Sequence, residues 1–241
     1  MRSVLLEVCV DDATGLAAAV AGGADRIELC SALSVGGLTP SKGLMELAAN
    51  ASIPVYAMIR PRAGDFVYNA SEIEIMSTDI DQVRECGLAG VVMGASNPDG
   101  TLNSSQLDFL TAHAKGLGLS LHRAFDLVPD FRAAIDISVE LGFERILTSG
   151  GSNLAIEGIA RLIDCMEYAA TRIIIMPGGG VNDVTVLALM EKLPLQEIHA
   201  SCSNIMPQHD SKLLELGFSA AGFKATDQSK VEALCKAIKN L

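Results

Sequence analysis

The chain has no tryptophan, and aromatic residues make up only 4% of its 241 positions. That scarcity argues against the stacked-aromatic platforms that hold single-stranded nucleic acids or sugars. Basic residues are also outnumbered, 18 Lys and Arg against 29 Asp and Glu, for a net charge of −11. A field of that sign opposes DNA, RNA and anionic membranes as partners. No apolar run reaches about 18 residues, so no membrane span is expected. At the N-terminus, Glu7 and Asp11 interrupt the apolar run of MRSVLLEVCVDD, unlike a secretory signal. The six cysteines (Cys9, Cys30, Cys86, Cys165, Cys202 and Cys235) lack CxxC spacing. A disulfide framework is therefore a poor reading, and a cytoplasmic protein with reduced thiols is expected.

What is present is a core: 49% hydrophobic residues and 22 glycines. The first complete β-α-β unit runs from Leu5 to Pro40, with strands Leu5 to Val10 and Arg26 to Cys30 around an alanine-rich helix. Residues two apart share a strand face, so Glu7 lies with Cys9, and Arg26 with Glu28 and Cys30. Parallel strands buried on both sides normally read as continuous apolar runs. Glu-x-Cys occurs on both strands and breaks that pattern twice, as functional sites tend to.

Six further strands follow: Val55 to Ile59, Gly90 to Gly94, Leu119 to Ala124, Arg145 to Thr148, Arg172 to Met176 and Glu197 to Ala200. Helices alternate with them. Thr39-Pro40-Ser41, with proline in the first turn, opens one; Ser71 and Glu74 fit a capping box for the next; Leu154 to Ala169 forms a later one; and Asp183 caps its successor. Such alternation predicts a (β/α)8 TIM barrel forming a single domain over residues 1–241, with an open doubly wound sheet as the alternative. Gly23-Ala24-Asp25-Arg26-Ile27 and Gly142-Phe143-Glu144-Arg145-Ile146 form a faint repeat half a barrel apart. Segment 201–228, between strand eight and the last helix, is too long for an ordinary loop and reads as a lid or a subunit contact, with a helix-like piece from Ser211 to Gly217. Homodimerisation through the outer helices is a further expectation.

Ligands of such barrels sit at the C-terminal ends of the strands. Glu7, Glu28, His122 and His199 fall there and suit proton transfer or a divalent metal. Arg60, Arg62, Arg123 and Asp126 favour a small carboxylate or phosphate. The turns Ser149-Gly150-Gly151 and Gly178-Gly179-Gly180 offer backbone N–H groups to an anion, or simply permit tight turns. The alternative is a salt-bridged plug, for example Glu28 with Arg60. Cys9 and Cys30, on neighbouring strands at similar depth, are either small core residues or soft ligands suited to Cu(I).

With those residues in view, the sequence resembles the CutC family of copper homeostasis proteins. The resemblance runs from Leu5 to Ser201 and rests on LEVCVD (Leu6 to Asp11), GADRIELC (Gly23 to Cys30), GGLTPS (Gly36 to Ser41) and MIRPRAGDFVY (Met58 to Tyr68). It continues through LHRAFD (Leu121 to Asp126), ILTSGG (Ile146 to Gly151), MPGGGV (Met176 to Val181) and HAS (His199 to Ser201). It implies a cytoplasmic (β/α)8 barrel linked to copper, with Cys9 and Cys30 as Cu(I) ligands. Ala63 and Ser201-Cys202-Ser203 depart from the family pattern. The alternative function is a barrel enzyme using acid–base chemistry on a small phosphorylated or carboxylated metabolite, with no cofactor or a divalent metal.

Overall fold

The computed structural model describes residues 4–207, 210–218 and 222–239. Eight parallel strands are numbered in chain order: β1 (Leu5–Val10), β2 (Arg26–Leu29), β3 (Val55–Met58), β4 (Gly90–Met93), β5 (Gly118–Leu121), β6 (Arg145–Thr148), β7 (Ile174–Pro177) and β8 (Glu197–Ala200). They pair in the order β7-β6-β5-β4-β3-β2-β1-β8, and β7 packs beside β8 to complete the ring. Helices α1 (Ala13–Ala21), α2 (Lys42–Ala48), α3 (Ala70–Cys86), α4 (Ser104–His113), α5 (Phe131–Glu140), α6 (Ile159–Ala169) and α7 (Thr185–Lys192) fill the crossovers. This is the expected (β/α)8 barrel.

Several element starts differ from the sequence reading, because nearby side chains compete for the same orphan amides. Asn69 and Glu72 form the α3 capping box, in place of Ser71 and Glu74. Ser41 caps α2, which leaves Pro40 outside the helix. Asn182, rather than Asp183, accepts the amides of Val184 and Thr185. Helix α6 begins only at Ile159, after Gly158, which lies against the Ser149 carbonyl where a Cβ would come within 1.9 Å.

Segment 201–228 is more than a loop, although its residues 208, 209 and 219–221 lie outside the described ones. Strands β9 (Ser203–Pro207) and β10 (Gly222–Thr226) pair antiparallel, with the short helix α8 (Ser211–Glu215) between them and α9 (Gln228–Lys239) after them.

Side chains alternate across the barrel wall. Leu6, Val8 and Val10 of β1 pack outward in the main apolar core, and Glu7 and Cys9 turn inward. The β1–β2 register sets Glu7 opposite Arg26 and Cys9 opposite Glu28. Cys30 therefore stands two residues beyond the position opposite Cys9, about 6.6 Å further along its strand, and not level with it.

The floor of the lumen is ionic. Arg26 bonds Glu7 and Glu197, and Arg145 bonds Glu197 (2.9 Å), Glu144 (2.8 Å) and the Ser120 hydroxyl (2.9 Å). Both guanidiniums lie over the Tyr56 ring, 5.4 and 4.9 Å from its centre, a favourable cation–π distance. That ring fits only because β4 and β5 each begin with glycine: a Cβ on Gly118 would stand 2.1 Å from the Tyr56 hydroxyl, and one on Gly90 2.4 Å from the ring. The ion pairs thus lie at the floor, among Glu7, Arg26, Arg145 and Glu197, and the expected Glu28–Arg60 pair across the mouth does not form. Arg60 bonds backbone carbonyls instead.

Removing one member of a buried ion-pair network typically costs about 3–5 kcal/mol, because the partner charges stay buried. Glu197→Ala leaves Arg26 and Arg145 one carboxylate short, so urea unfolding should show a loss of that order. Lys42→Ala, which breaks a half-exposed pair with Glu85, should leave the midpoint unchanged. A Glu197→Ala protein as stable as the wild type would contradict this account of the floor.

Candidate functional site

Directly above the floor, Cys9, Glu28 and His199 each present one ligand atom, and the three atoms lie within 4.8 Å of one another. Neighbouring strands supply them: β1 gives Cys9, β2 gives Glu28 and β8 gives His199. The His199 Nδ1 is 2.8 Å from Glu7 Oε1, which turns Nε2 toward Glu28, 3.8 Å away. A carboxylate behind an imidazole is the arrangement that orients histidine ligands in metal sites. Gly178, after β7, makes room for this ring, since a Cβ there would meet Leu147 at 2.5 Å and the His199 Cβ at 3.2 Å.

The charges at this level are mutually adjusted. Burial alone would push Glu7 up, but His199 and Arg26 outweigh it and hold the carboxylate down at about 2. Burial likewise opposes a charged His199, yet Cys9, Glu28 and Glu7 raise it well above its ordinary value. Burial raises Glu28, only partly offset by His199. Cys30 lies on the mouth side of Glu28, its Sγ 3.6 Å from Glu28 Oε2, and packs against Tyr56, Met58 and Val92. Burial and the Glu28 charge keep it a thiol. Cys202, just past β8, is buried with a left-handed backbone (φ +43°), and burial pushes its thiol up to about 12.

A cavity of ≈ 370 Å³ opens from these residues to the mouth. Arg60, Phe66, His122 and Arg123 line it together with Cys9, Glu28 and His199. His122 is buried against Phe66, with ring centres 4.6 Å apart. Its Nδ1 accepts the Ala124 amide at 3.2 Å, so the proton of the neutral ring sits on Nε2. Burial, then the Arg60 charge, pushes His122 down to about 3.

The remaining expected residues divide. Asp126 accepts Arg123 Nε (2.7 Å), the Thr148 hydroxyl (2.6 Å) and the amides of Ser149 and Gly151, while Gly150 donates to Thr148 Oγ1. The turn after β6 thus holds a carboxylate of its own chain. Gly179 and Gly180 both have positive φ, which lets the turn after β7 pass the Asn153 carbonyl and Leu154. Arg62 bonds Asp65 and Glu72 on the surface and lies outside the cavity lining. Sequence reasoning missed Arg145, Glu197 and Tyr56 as the base of the site. The Arg26/Arg145 repeat was their one visible signal.

The family model of the CutC family matches residues 4–204. The chain belongs to the CutC family. A CutC family protein of Rhizobium meliloti (strain 1021) is 57% identical to it, over 97% of this chain and 96% of the relative. A human protein named copper homeostasis protein cutC homolog is 40% identical over 98% and 90%. The crystal structure of a CutC protein from Streptococcus agalactiae superposes with a TM-score of 0.79 at 36% identity, covering 82% of this chain and 98% of that one. The motifs named above fall within the matched region, and they supply Cys9, Glu28, Arg60, His122 and His199.

The buried neutral His122 gives this CutC protein an acid-side stability dependence. Between about pH 6.5 and pH 3 the unfolded chain takes a proton at this histidine that the folded chain refuses, so stability falls as pH falls. Glu7 acts in a lower window, losing its contribution between about pH 4.5 and 2. The unfolding free energy of the wild type should therefore fall relative to that of His122→Phe from pH 6.5 down to 4.5, with a slope approaching about 1.4 kcal/mol per pH unit. Parallel pH profiles over that range would contradict the assignment.

Proposed function

We propose that this CutC family member is a cytoplasmic copper-handling protein, built as one barrel domain, that takes Cu(I) as its cargo at the base of the mouth cavity. The observation that carries the reading is the convergence of Cys9, Glu28 and His199, with Glu7 behind the imidazole. The donors fit: a thiolate selects soft metals, an imidazole suits copper, and a buried carboxylate offsets the ion's charge. Glu28 Oε1 is buried with no partner among the described residues, as a waiting ligand atom would be. Cys9 takes over the role that the resemblance gives to the thiol pair. Cys30, hydrogen-bonded to Glu28, lies outside that set and acts on it through the Glu28 carboxylate. The name of the human relative points to the same metal. All six cysteines are unpaired thiols, consistent with a reducing compartment, and no described helix is long and apolar enough to cross a membrane.

The ≈ 370 Å³ cavity above the metal-binding set supports a second reading, an enzyme acting on a small anionic metabolite, with Glu28, His122 and His199 as proton-exchanging groups.

An anaerobic Cu(I) competition titration tests the first reading. The wild type should bind a single ion per chain; Cys9→Ser should abolish that binding and His199→Ala should weaken it, both without loss of helical signal. Cys30→Ser should weaken binding without abolishing it. Glu7→Gln, which loosens the orientation of the imidazole, should weaken it by about 10–100-fold. Undiminished binding by Cys9→Ser would refute the site.

A further inference from the structure

Arg60 is buried, with 5% of its surface exposed, and forms no ion pair with a carboxylate among the described residues. Its Nη1 donates to the carbonyls of Val35 (2.9 Å) and Gly37 (3.0 Å), and its Nη2 to that of Gly64 (2.7 Å). These bonds fix the guanidinium between the loops after β2 and β3 and satisfy its forks, but carbonyls leave the net charge in place. Isolated buried charges are costly and are almost always paired. The other arginine of the mouth, Arg123, has its own counter-charge in Asp126. Arg60 has none among the described residues; the Tyr68 hydroxyl lies beside its guanidinium, but neither that hydroxyl nor Arg60 Nε–H makes a hydrogen bond of good geometry.

A second orphan donor belongs to another residue that lines the same cavity. His122 Nε2 is buried with no partner among the described residues, and the Ala124 bond at Nδ1 makes it an N–H donor. Phe66 stands between the two groups, 4.9 Å from the Arg60 guanidinium and 4.6 Å from the imidazole. Both side chains line the ≈ 370 Å³ cavity, and Leu33, Val35 and Leu127 complete its apolar walls. That volume is at the small end of ligand pockets, about 300–1,000 Å³.

We propose that the mouth cavity is a binding site for a small monocarboxylate with an apolar body, its oxygens accepting the unpartnered N–H groups of Arg60 Nε and His122 Nε2. One unbalanced cation and two single donors match one negative charge. A phosphate dianion would bring twice the charge and more acceptors than the two donors satisfy. The apolar walls hold the rest of the molecule. The inference rests on the second reading, in which the cavity takes a metabolite, and names its class. It does not require the metal.

The test is isothermal titration of metal-free protein with propionate, benzoate and inorganic phosphate at constant ionic strength, backed by saturation-transfer NMR on the benzoate ring. Benzoate should bind one to one, more tightly than propionate, and phosphate should not saturate. His122→Phe keeps the ring packed on Phe66 and removes the donor, so it should weaken benzoate about tenfold or more. Arg60→Lys should do the same, and His122→Phe stands alone if the lysine variant unfolds. Benzoate binding that His122→Phe leaves intact would overturn the placement. Saturable phosphate with no carboxylate binding would overturn the carboxylate class but keep the cavity as an anion site. No binding of any of the three would overturn both.

Discussion

Glu7 is the group on which both levels of the lumen depend. Below, it accepts Arg26 and anchors the ionic floor; above, it accepts His199 Nδ1 and aims the other ring nitrogen into the site. One buried carboxylate, held ionised by two cationic partners, thus couples the stability of the barrel to the geometry of its mouth. The coupling explains why polar residues persist on strands buried on both faces. An apolar replacement of the floor alone could be neutral for stability. It would leave His199 without an orienting partner.

The mouth handles its charges locally, and what is left over indicates what it binds. Asp126 is bonded by Arg123 and by the turn after β6, and so contributes rigidity more than attraction. Arg60 braces two loops through carbonyls and keeps its charge. The acidic groups left over (the Cys9 thiol and Glu28, beside His199) lie deep, at the level of the proposed copper site, and the positive remainder lies beside Phe66. The proposed cation below and the proposed anion above would occupy different ends of one cavity, so metal and metabolite readings are compatible and separately testable.

The barrel was legible because strand and helix alternate with short links and strong apolar strands. Cys9, Glu28 and His199 were legible because each breaks an apolar strand near its C-terminal end, and Glu7 because it breaks β1 nearer its start. The pairing of Cys9 with Cys30 was misjudged in depth, since parallel register is set by hydrogen bonding across strands and not by matching motifs; Cys9 faces Glu28. The floor was hidden because its partners lie far apart in sequence, Arg26 and Arg145 meeting at Glu197. Only their shared repeat context hinted at a common role. Strands β9 and β10 gave no clear signal, being short, largely exposed and paired only with each other.

The central claim, that one thiolate acts with an imidazole and a carboxylate above Glu7, is tested most directly by copper K-edge X-ray absorption on protein loaded with a single Cu(I) per chain. The account predicts one sulfur scatterer together with nitrogen or oxygen, with outer-shell features of an imidazole that disappear in His199→Ala. A first shell of two sulfurs with no imidazole signature, unchanged by His199→Ala, would contradict it.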